Sequence, residues 1–181
     1  MHEITENVVL EMTNVLSFRG KVTQQQLNEI SNEMETLIKL NNAQRDGANV
    51  SATFAVDTSG LIPLIDVELL IPLDKSFPVS EPYRFKQVFR LKNAIKIQHK
   101  GSLNTSQNTV NELLHYISEH GYTPVTALYN VVIREPRGQT DIDNMIVDIY
   151  IGVNDNILWI FEQWFDEVWK MLYNHLQGSA I

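Results

Sequence analysis

Two similar stretches of sequence decide the fold: VELLIPL at residues 67–73 and VDIYIGV at residues 147–153. Each is a short apolar run that is typical of a buried strand, and each carries one acid at its second position, Glu68 or Asp148. A glycine precedes each acid by nearly the same interval, because 48 residues separate Gly20 from Glu68 and 47 separate Gly101 from Asp148. The repeat therefore predicts that the chain contains two copies of one structural unit.

Working outward from the two stretches, the same order of elements is predicted twice. Residues 8–18 read as a strand, 23–42 as an amphipathic helix with a capping box at Thr23, and 50–56 and 65–73 as two strands. A long strand up to Gly101, a helix around 110–117 and strands at 126–133 and 145–153 follow the same plan. The sequence predicts an α+β domain over 1–155. Its two βαββ halves, about 5–75 and 83–155, are related by pseudo-two-fold symmetry, and two helices pack on an antiparallel sheet.

The first strand of the second half has a pattern of its own. Alternation predicts that its apolar residues share one face and its basic residues the other. The apolar set is Phe85, Phe89, Leu91, Ile95 and Ile97, and the polar set is Arg84, Lys86, Arg90, Lys92, Lys96 and Gln98. We expect the basic face to be solvated or to protect an edge strand, with an anionic partner as the alternative.

The end of the chain departs from the repeat. Residues 156–181 predict an amphipathic helix that contains all three tryptophans, at positions 159, 164 and 169. Three roles are compatible with its broad apolar stripe: packing on the sheet of its own domain, formation of a homodimer, or docking on another protein.

Composition excludes several classes of function. The net charge of −8 argues against nucleic-acid binding, and no stretch is apolar enough to be a membrane helix. The acidic N-terminus does not match a signal peptide, and the chain has no cysteine, so we expect a cytoplasmic protein. We expect no metal or cofactor, because His115, Glu119 and His120 lack a zinc-motif spacing and no nucleotide-binding motif is present.

A series of short motifs in the second half resembles a known family. Its motifs are HKG at 99–101, EHG at 119–121, YNVVIREP at 129–136 and DIYIGV at 148–153, and the first half repeats the last one as ELLIPL at 68–73. In order and spacing they are similar to the GyrI-like domain, also called the AraC effector-binding domain, of the SOUL-like superfamily. The resemblance covers about residues 5–155 and points to an uncharacterised branch from Gram-positive bacteria.

The resemblance implies a ligand cleft between the two halves. An acid on the last strand of the family often faces a bulky aromatic or cationic ligand; here it maps to Asp148, with Glu68 as its pseudo-symmetric counterpart. Tyr129 fits the family's aromatic position. The aromatic residues Phe54, Tyr116 and Tyr150 are further candidates to line a pocket for a flat ligand, and core packing is the alternative for each.

The sequence also departs from the family pattern. The family's Tyr-Glu-Val-Tyr motif reads here as Tyr129-Asn130-Val131-Val132, so the glutamate and the second tyrosine are replaced. Some members hydrolyse cyclopropane-containing toxins with a glutamate and a tyrosine. We therefore expect a stand-alone, non-catalytic protein that binds an aromatic or cationic small molecule. The alternatives are a protein-interaction module that acts through residues 156–181 and a hydrolase of small toxic compounds.

Overall fold

The computed structural model describes residues 2–102 and 105–155. The predicted C-terminal helix, residues 156–181, lies outside the described residues, together with all three tryptophans. Within the described part of the chain, neither helix is long and apolar enough to cross a membrane.

The predicted order of elements is confirmed in both halves. The first half consists of β1 (Ile4–Val22), α1 (Gln24–Leu40), β2 (Val50–Asp57) and β3 (Leu64–Pro72). The second consists of β4 (Tyr83–Lys100), α2 (Gln107–Glu119), β5 (Tyr122–Pro124), β6 (Leu128–Arg134), a 3-10 helix (Gln139–Asn144) and β7 (Ile146–Asp155). The short strand β5 was not predicted. The capping box at Thr23 is present, because its side chain accepts from the Gln26 N–H and the Gln26 side chain accepts from the Thr23 N–H.

The strands form a closed antiparallel ring. Six strands follow one another in the order β4-β1-β3-β2-β6-β7, and pairing between β4 and β7 closes the ring. The short β5 pairs with the end of β7. The α+β class and the antiparallel sheet are confirmed, whereas the closure of the sheet was not predicted.

Strand register supports the duplication and corrects one part of it. Glu68 pairs with Arg19 on β1, and Asp148 pairs with Gln98 at the matching place on β4. The two glycines are not equivalent. Gly20 still lies within β1, opposite Val67. Gly101 follows β4, and its N–H bonds the carbonyl of Met145. Glu68 and Asp148 are thus equivalent positions in the two halves. Gly20 and Gly101 are not equivalent, so their similar distances in sequence from the two acids are coincidental.

The backbone conformation of two asparagines also reflects the duplication. Asn14 on β1 and Asn93 on β4 have left-handed φ angles of 48° and 52°. Asparagine tolerates this conformation better than other residues with a side chain. Because Asn14 lies five residues before Arg19 and Asn93 five before Gln98, the two irregularities occupy matching positions in the two halves.

Three apolar clusters hold the ring and its helices together. One lies between α1 and the outer side of β1 and β3, and contains Leu16, Phe18, Met34, Ile38, Val67 and Ile71. A second lies between α2 and the outer side of β4 and β7, and contains Ile95, Ile97, Leu113, Ile117, Val147 and Ile149. The third fills the inside of the ring with residues from all six strands, among them Leu10, Leu70, Leu91, Ala94, Val131 and Tyr150.

The prediction of one apolar and one basic face on β4 is confirmed only in part: Arg84, Arg90, Lys92 and Gln98 are exposed, but the apolar residues do not share one face. Phe89 and Leu91 point into the ring, whereas Ile95 and Ile97 pack under α2. The left-handed Asn93 lies between the two pairs and shifts the alternation by one residue. As a result, Lys96 points into the ring rather than to solvent, where it bonds a buried acid.

Candidate functional site

A groove lies where the two halves meet. Strand β2 of the first half pairs with β6 of the second, so that Thr53 lies opposite Leu128. Helix α1 covers the outer side of the first half, and α2 covers that of the second. Between the helices, above the β2–β6 seam, the structure leaves a groove of about 630 Å³.

The lining of this groove is uncharged. Its polar residues are Gln24, Asn28, Ser31, Ser51, Thr53, Ser106, Gln107 and Asn130. Its apolar residues are Leu27, Ile65, Val67, Leu69, Val110 and Leu128. The arrangement offers amide and hydroxyl groups for hydrogen bonds beside aliphatic surface, which is the composition of many small-molecule sites.

Strand alternation and small side chains explain why the groove is open. Ser51 and Thr53 on β2, and Leu128 and Asn130 on β6, point outward from the ring. Ser51 and Thr53 have short side chains, which leave the space above the β2–β6 seam open. Both helices begin beside the groove, and neither has an acid in its first turn. The positive ends of their dipoles therefore do not favour a cation there.

A smaller cavity of about 260 Å³ continues the groove toward the C-terminal end of α1. The two cavities share Ser31, Ser51 and Leu69. At its far side Arg45 forms ion pairs with Glu35 and, at 3.2 Å, with Glu135 of the second half. Because one arginine faces two glutamates, the far end of the extension carries one net negative charge, away from the residues that it shares with the groove.

Glu68 lies on the opposite side of the seam, inside the ring. It pairs across the ladder with Ala52, which also points inward. The carboxylate is 6% exposed and its Oε1 lies 2.5 Å from the Lys86 ammonium. The Tyr129 hydroxyl donates to its Oε2 at 3.5 Å, a weak contact. Burial and, secondarily, the Glu68 carboxylate raise the pKa of the Tyr129 phenol, which stays protonated as a donor.

Aromatic rings surround this ion pair. The ring of Phe54 meets that of Tyr129 edge-on, with centroids 6.4 Å apart, and Phe89 lies 5.2 Å from Tyr129 on the other side. The Arg19 guanidinium stacks over Phe54 at 3.3 Å and bonds Asp66 through two nitrogens, at 2.9 and 3.1 Å. The Arg19 guanidinium and the Phe54 ring are thus already matched with each other, at the exposed edge of this cluster.

Asp148 has a comparable environment three strands away. Its Oδ2 lies 3.2 Å from the Lys96 ammonium, and its Oδ1 accepts a hydrogen bond from the Gln98 amide at 2.8 Å. Tyr150, directly opposite Tyr129, lies beside it. Burial, followed by the negative charge of Asp148, raises the pKa of the Tyr150 phenol.

Tyr116 lies apart from the other predicted residues. It projects from α2, stacks on His120 with centroids 3.8 Å apart, and donates to Glu6 at 2.9 Å. Four of the six predicted site residues thus share the inside of the ring: Glu68, Asp148, Tyr129 and Tyr150. Phe54 contacts Tyr129 but is 40% exposed. The groove between the halves lies on the other face of the β2–β6 seam from those four.

Sequence reasoning missed the residues that complete both environments. The polarity pattern predicts solvated side chains for Lys86 and Lys96 and gives no signal for Arg19, yet all three pair with acids of the ring. Asn130 stands out in the sequence only as a departure from the family motif. Strand alternation over residues 129–132 does predict the position of Asn130, because neighbouring residues of a strand point to opposite faces. Asn130 therefore lies on the face opposite to Tyr129.

Comparisons with known proteins agree with the fold. No protein-family model matches the chain, and no curated protein sequence matches it. Among solved structures, the EcmrR C-terminal domain superposes with a TM-score of 0.64 at 15% identity, over 86% of this chain and 99% of that domain. In an EcmrR–DNA complex the TM-score is 0.67 at 15% identity, over 85% of this chain and 58% of the EcmrR chain. The chain therefore matches little more than half of that protein.

A hydrolase from Listeria innocua is a more distant structural neighbour. Its TM-score is 0.50 at 12% identity, over 84% of this chain and 91% of the hydrolase. At these identities the comparisons show a shared fold.

Proposed function

We propose that the chain is a GyrI-like small-molecule-binding protein whose ligand occupies the groove between α1 and α2. One observation carries the proposal: the groove has a volume of about 630 Å³, and its lining combines aliphatic surface with amides and hydroxyls. Ligand sites in proteins usually measure roughly 300–1,000 Å³ and have this mixed lining. The motif order in the sequence and the fold shared with the EcmrR C-terminal domain support the family placement.

The ligand we propose is an uncharged organic compound with an aromatic or aliphatic body. Asn130 occupies the place of the glutamate in the family motif, and its side chain lies in the groove. No carboxylate is present among the described residues of the lining, so a cation would lose its hydration without gaining a counter-charge. An amide at this position instead donates and accepts hydrogen bonds to neutral groups.

The hydrolytic alternative is less well supported by the same geometry. It needs an acid and a tyrosine hydroxyl beside one reacting atom. Glu68 and Tyr129 do approach each other, but inside the ring, where the carboxylate is bonded to Lys86. Among the described residues, the groove lining has neither an acid nor a tyrosine.

The test measures the charge preference of the groove. Wild-type protein and the Asn130→Glu variant are titrated with the neutral dye Nile red and its cationic analogue Nile blue, and binding is followed by fluorescence. We expect the wild type to prefer Nile red. The new carboxylate should improve Nile blue binding by about tenfold or more, the value of a charged hydrogen bond of about 1.5–3 kcal/mol.

Two controls isolate the groove. Asn130→Gln keeps it neutral and should leave the preference unchanged. Ile133→Glu adds the same charge to the same strand outside the groove lining, and should have little effect. If Asp148→Asn or Glu68→Gln weakens dye binding while Ser51→Leu, which fills the groove, does not, the ligand lies inside the ring and the proposal is wrong.

A further inference from the structure

The hairpin that joins β2 to β3 exposes an unusual amount of apolar surface. Val56, Leu61, Ile62 and Leu64 are exposed around its turn, and Leu61 is fully so. Phe54, at the base, is also partly exposed. We call this set the hairpin patch. Single exposed apolar residues are ordinary on protein surfaces, but four of them around the turn of one hairpin, within residues 56–64, indicate a contact surface.

The hairpin patch lies at the end of the ring where the described chain stops. Thr53 on β2 lies opposite Leu128, the first residue of β6, so the hairpin extends beyond the start of that strand. Val125, just before β6, donates its N–H to Gly152 of β7 at 2.9 Å, and is itself exposed. Asp155, three residues further along, is the last described residue.

The reach from Asp155 to the hairpin patch is short. One strand, β6, lies between β7 and β2, which places them about 10 Å apart, and the hairpin extends about 13 Å beyond Thr53. A few extended residues cover that distance, since each spans up to about 3.5 Å. The sequence of residues 156–181 contains an apolar stripe with large side chains, including Ile157, Phe161 and Trp164.

We propose that residues 156–181 of the same chain pack their apolar stripe against the hairpin patch. The segment leaves the ring at the correct end, has ample length, and supplies apolar side chains for a surface that otherwise faces water. An intramolecular contact is favoured over capture of a separate chain, because a tether of a few residues gives a high effective concentration.

The sequence provides a direct readout for this contact. All three tryptophans of the protein, at positions 159, 164 and 169, lie in the segment. Tryptophan fluorescence therefore reports on the segment alone. We compare the full-length wild type with Leu61→Asp/Ile62→Asp, and with Leu40→Asp as a matched control. Leu40 is also exposed, but it lies at the C-terminal end of α1, at the other end of the ring.

In the hairpin variant we expect the emission to shift to longer wavelength and acrylamide quenching to increase, while Leu40→Asp matches the wild type. Far-UV circular dichroism should confirm that all three proteins are folded. An unchanged emission in the hairpin variant overturns the proposal. A shift that depends on protein concentration in the wild type also overturns it, because the occupant of the patch is then a second copy.

A second measurement tests proximity without disturbing the patch. The chain has no cysteine, so a nitroxide label can be attached at Leu61→Cys or, as the control, at Leu40→Cys. A nitroxide quenches tryptophan only at short range. Quenching from position 61 and not from position 40 supports the contact, and equal quenching from both positions contradicts it.

Discussion

The two faces of the β2–β6 seam are built from neighbouring residues, yet they have opposite properties. Ser51 and Asn130 point outward into a groove of about 630 Å³ with an uncharged lining. Ala52 and Tyr129 point inward, where Glu68 is bonded to Lys86 among aromatic rings. The face with the charges is filled and its charges are matched, whereas the face without charges is open. The proposed groove and the buried acids thus lie on opposite faces of the same seam.

The difference has a simple physical cause. A buried carboxylate costs several kcal/mol unless it is paired, so the inward-facing acids require nearby cations. Lys86 and Lys96 meet this requirement, so that neither acid is left as an unmatched charge. The outward-facing serine and asparagine carry no such cost and can remain available for a ligand.

The largest effect is expected on the inner face. Lys86→Met leaves the Glu68 carboxylate buried with only the weak Tyr129 contact, and should lower the free energy of unfolding by about 3 kcal/mol. Urea denaturation measures this loss. The double variant Glu68→Met/Lys86→Met removes both charges and should recover most of the stability. A single variant as stable as the wild type would mean that Glu68 does not depend on its lysine.

An intermediate effect on stability is expected from the same substitution at two consecutive residues, one on each face of the seam. Ala52→Leu forces extra methylene groups into the packed ring and should destabilise the protein by about 2 kcal/mol. Ser51→Leu places the same side chain in the groove, where space exists, and should change stability little while abolishing dye binding. Thermal denaturation and dye titration of the two variants give the comparison, and equal destabilisation would show that the groove is not open.

The smallest effect on stability is expected at the lysine of the second half, and it allows the two buried ion pairs to be compared. Lys96→Met removes one partner of Asp148 but leaves the Gln98 amide at 2.8 Å, so we expect a loss of about 1.5 kcal/mol. The loss should be smaller than for Lys86→Met under the same urea conditions. If Lys96→Met is the more damaging change, the amide does not compensate the buried carboxylate.

Much of the fold was predictable from the sequence because it depends on local patterns. The strand pattern of residues 67–73 and 147–153 and the capping box at Thr23 identified the elements and their repetition. The face assignment of β4 failed because a left-handed backbone at Asn93, which no pattern of polarity reveals, shifts the alternation.

The candidate site was less predictable because its parts come together only in the folded chain. Glu68 and Lys86 are 18 residues apart, and Asp148 and Lys96 are 52 apart. Their pairing depends on ladder register and on the closure of β4 against β7. The groove depends on where two helices sit above the sheet, which periodicity within each helix does not specify.

The closed ring also bears on how such a protein could change its ligand during evolution. Each of the six strands in the ring is held by neighbours on both sides, and neither Ser51 nor Asn130 belongs to any of the three apolar clusters. We therefore expect substitutions at these two positions to alter recognition in the proposed site at little cost in stability. A lineage of such proteins could acquire new specificities by single mutations without passing through poorly folded intermediates.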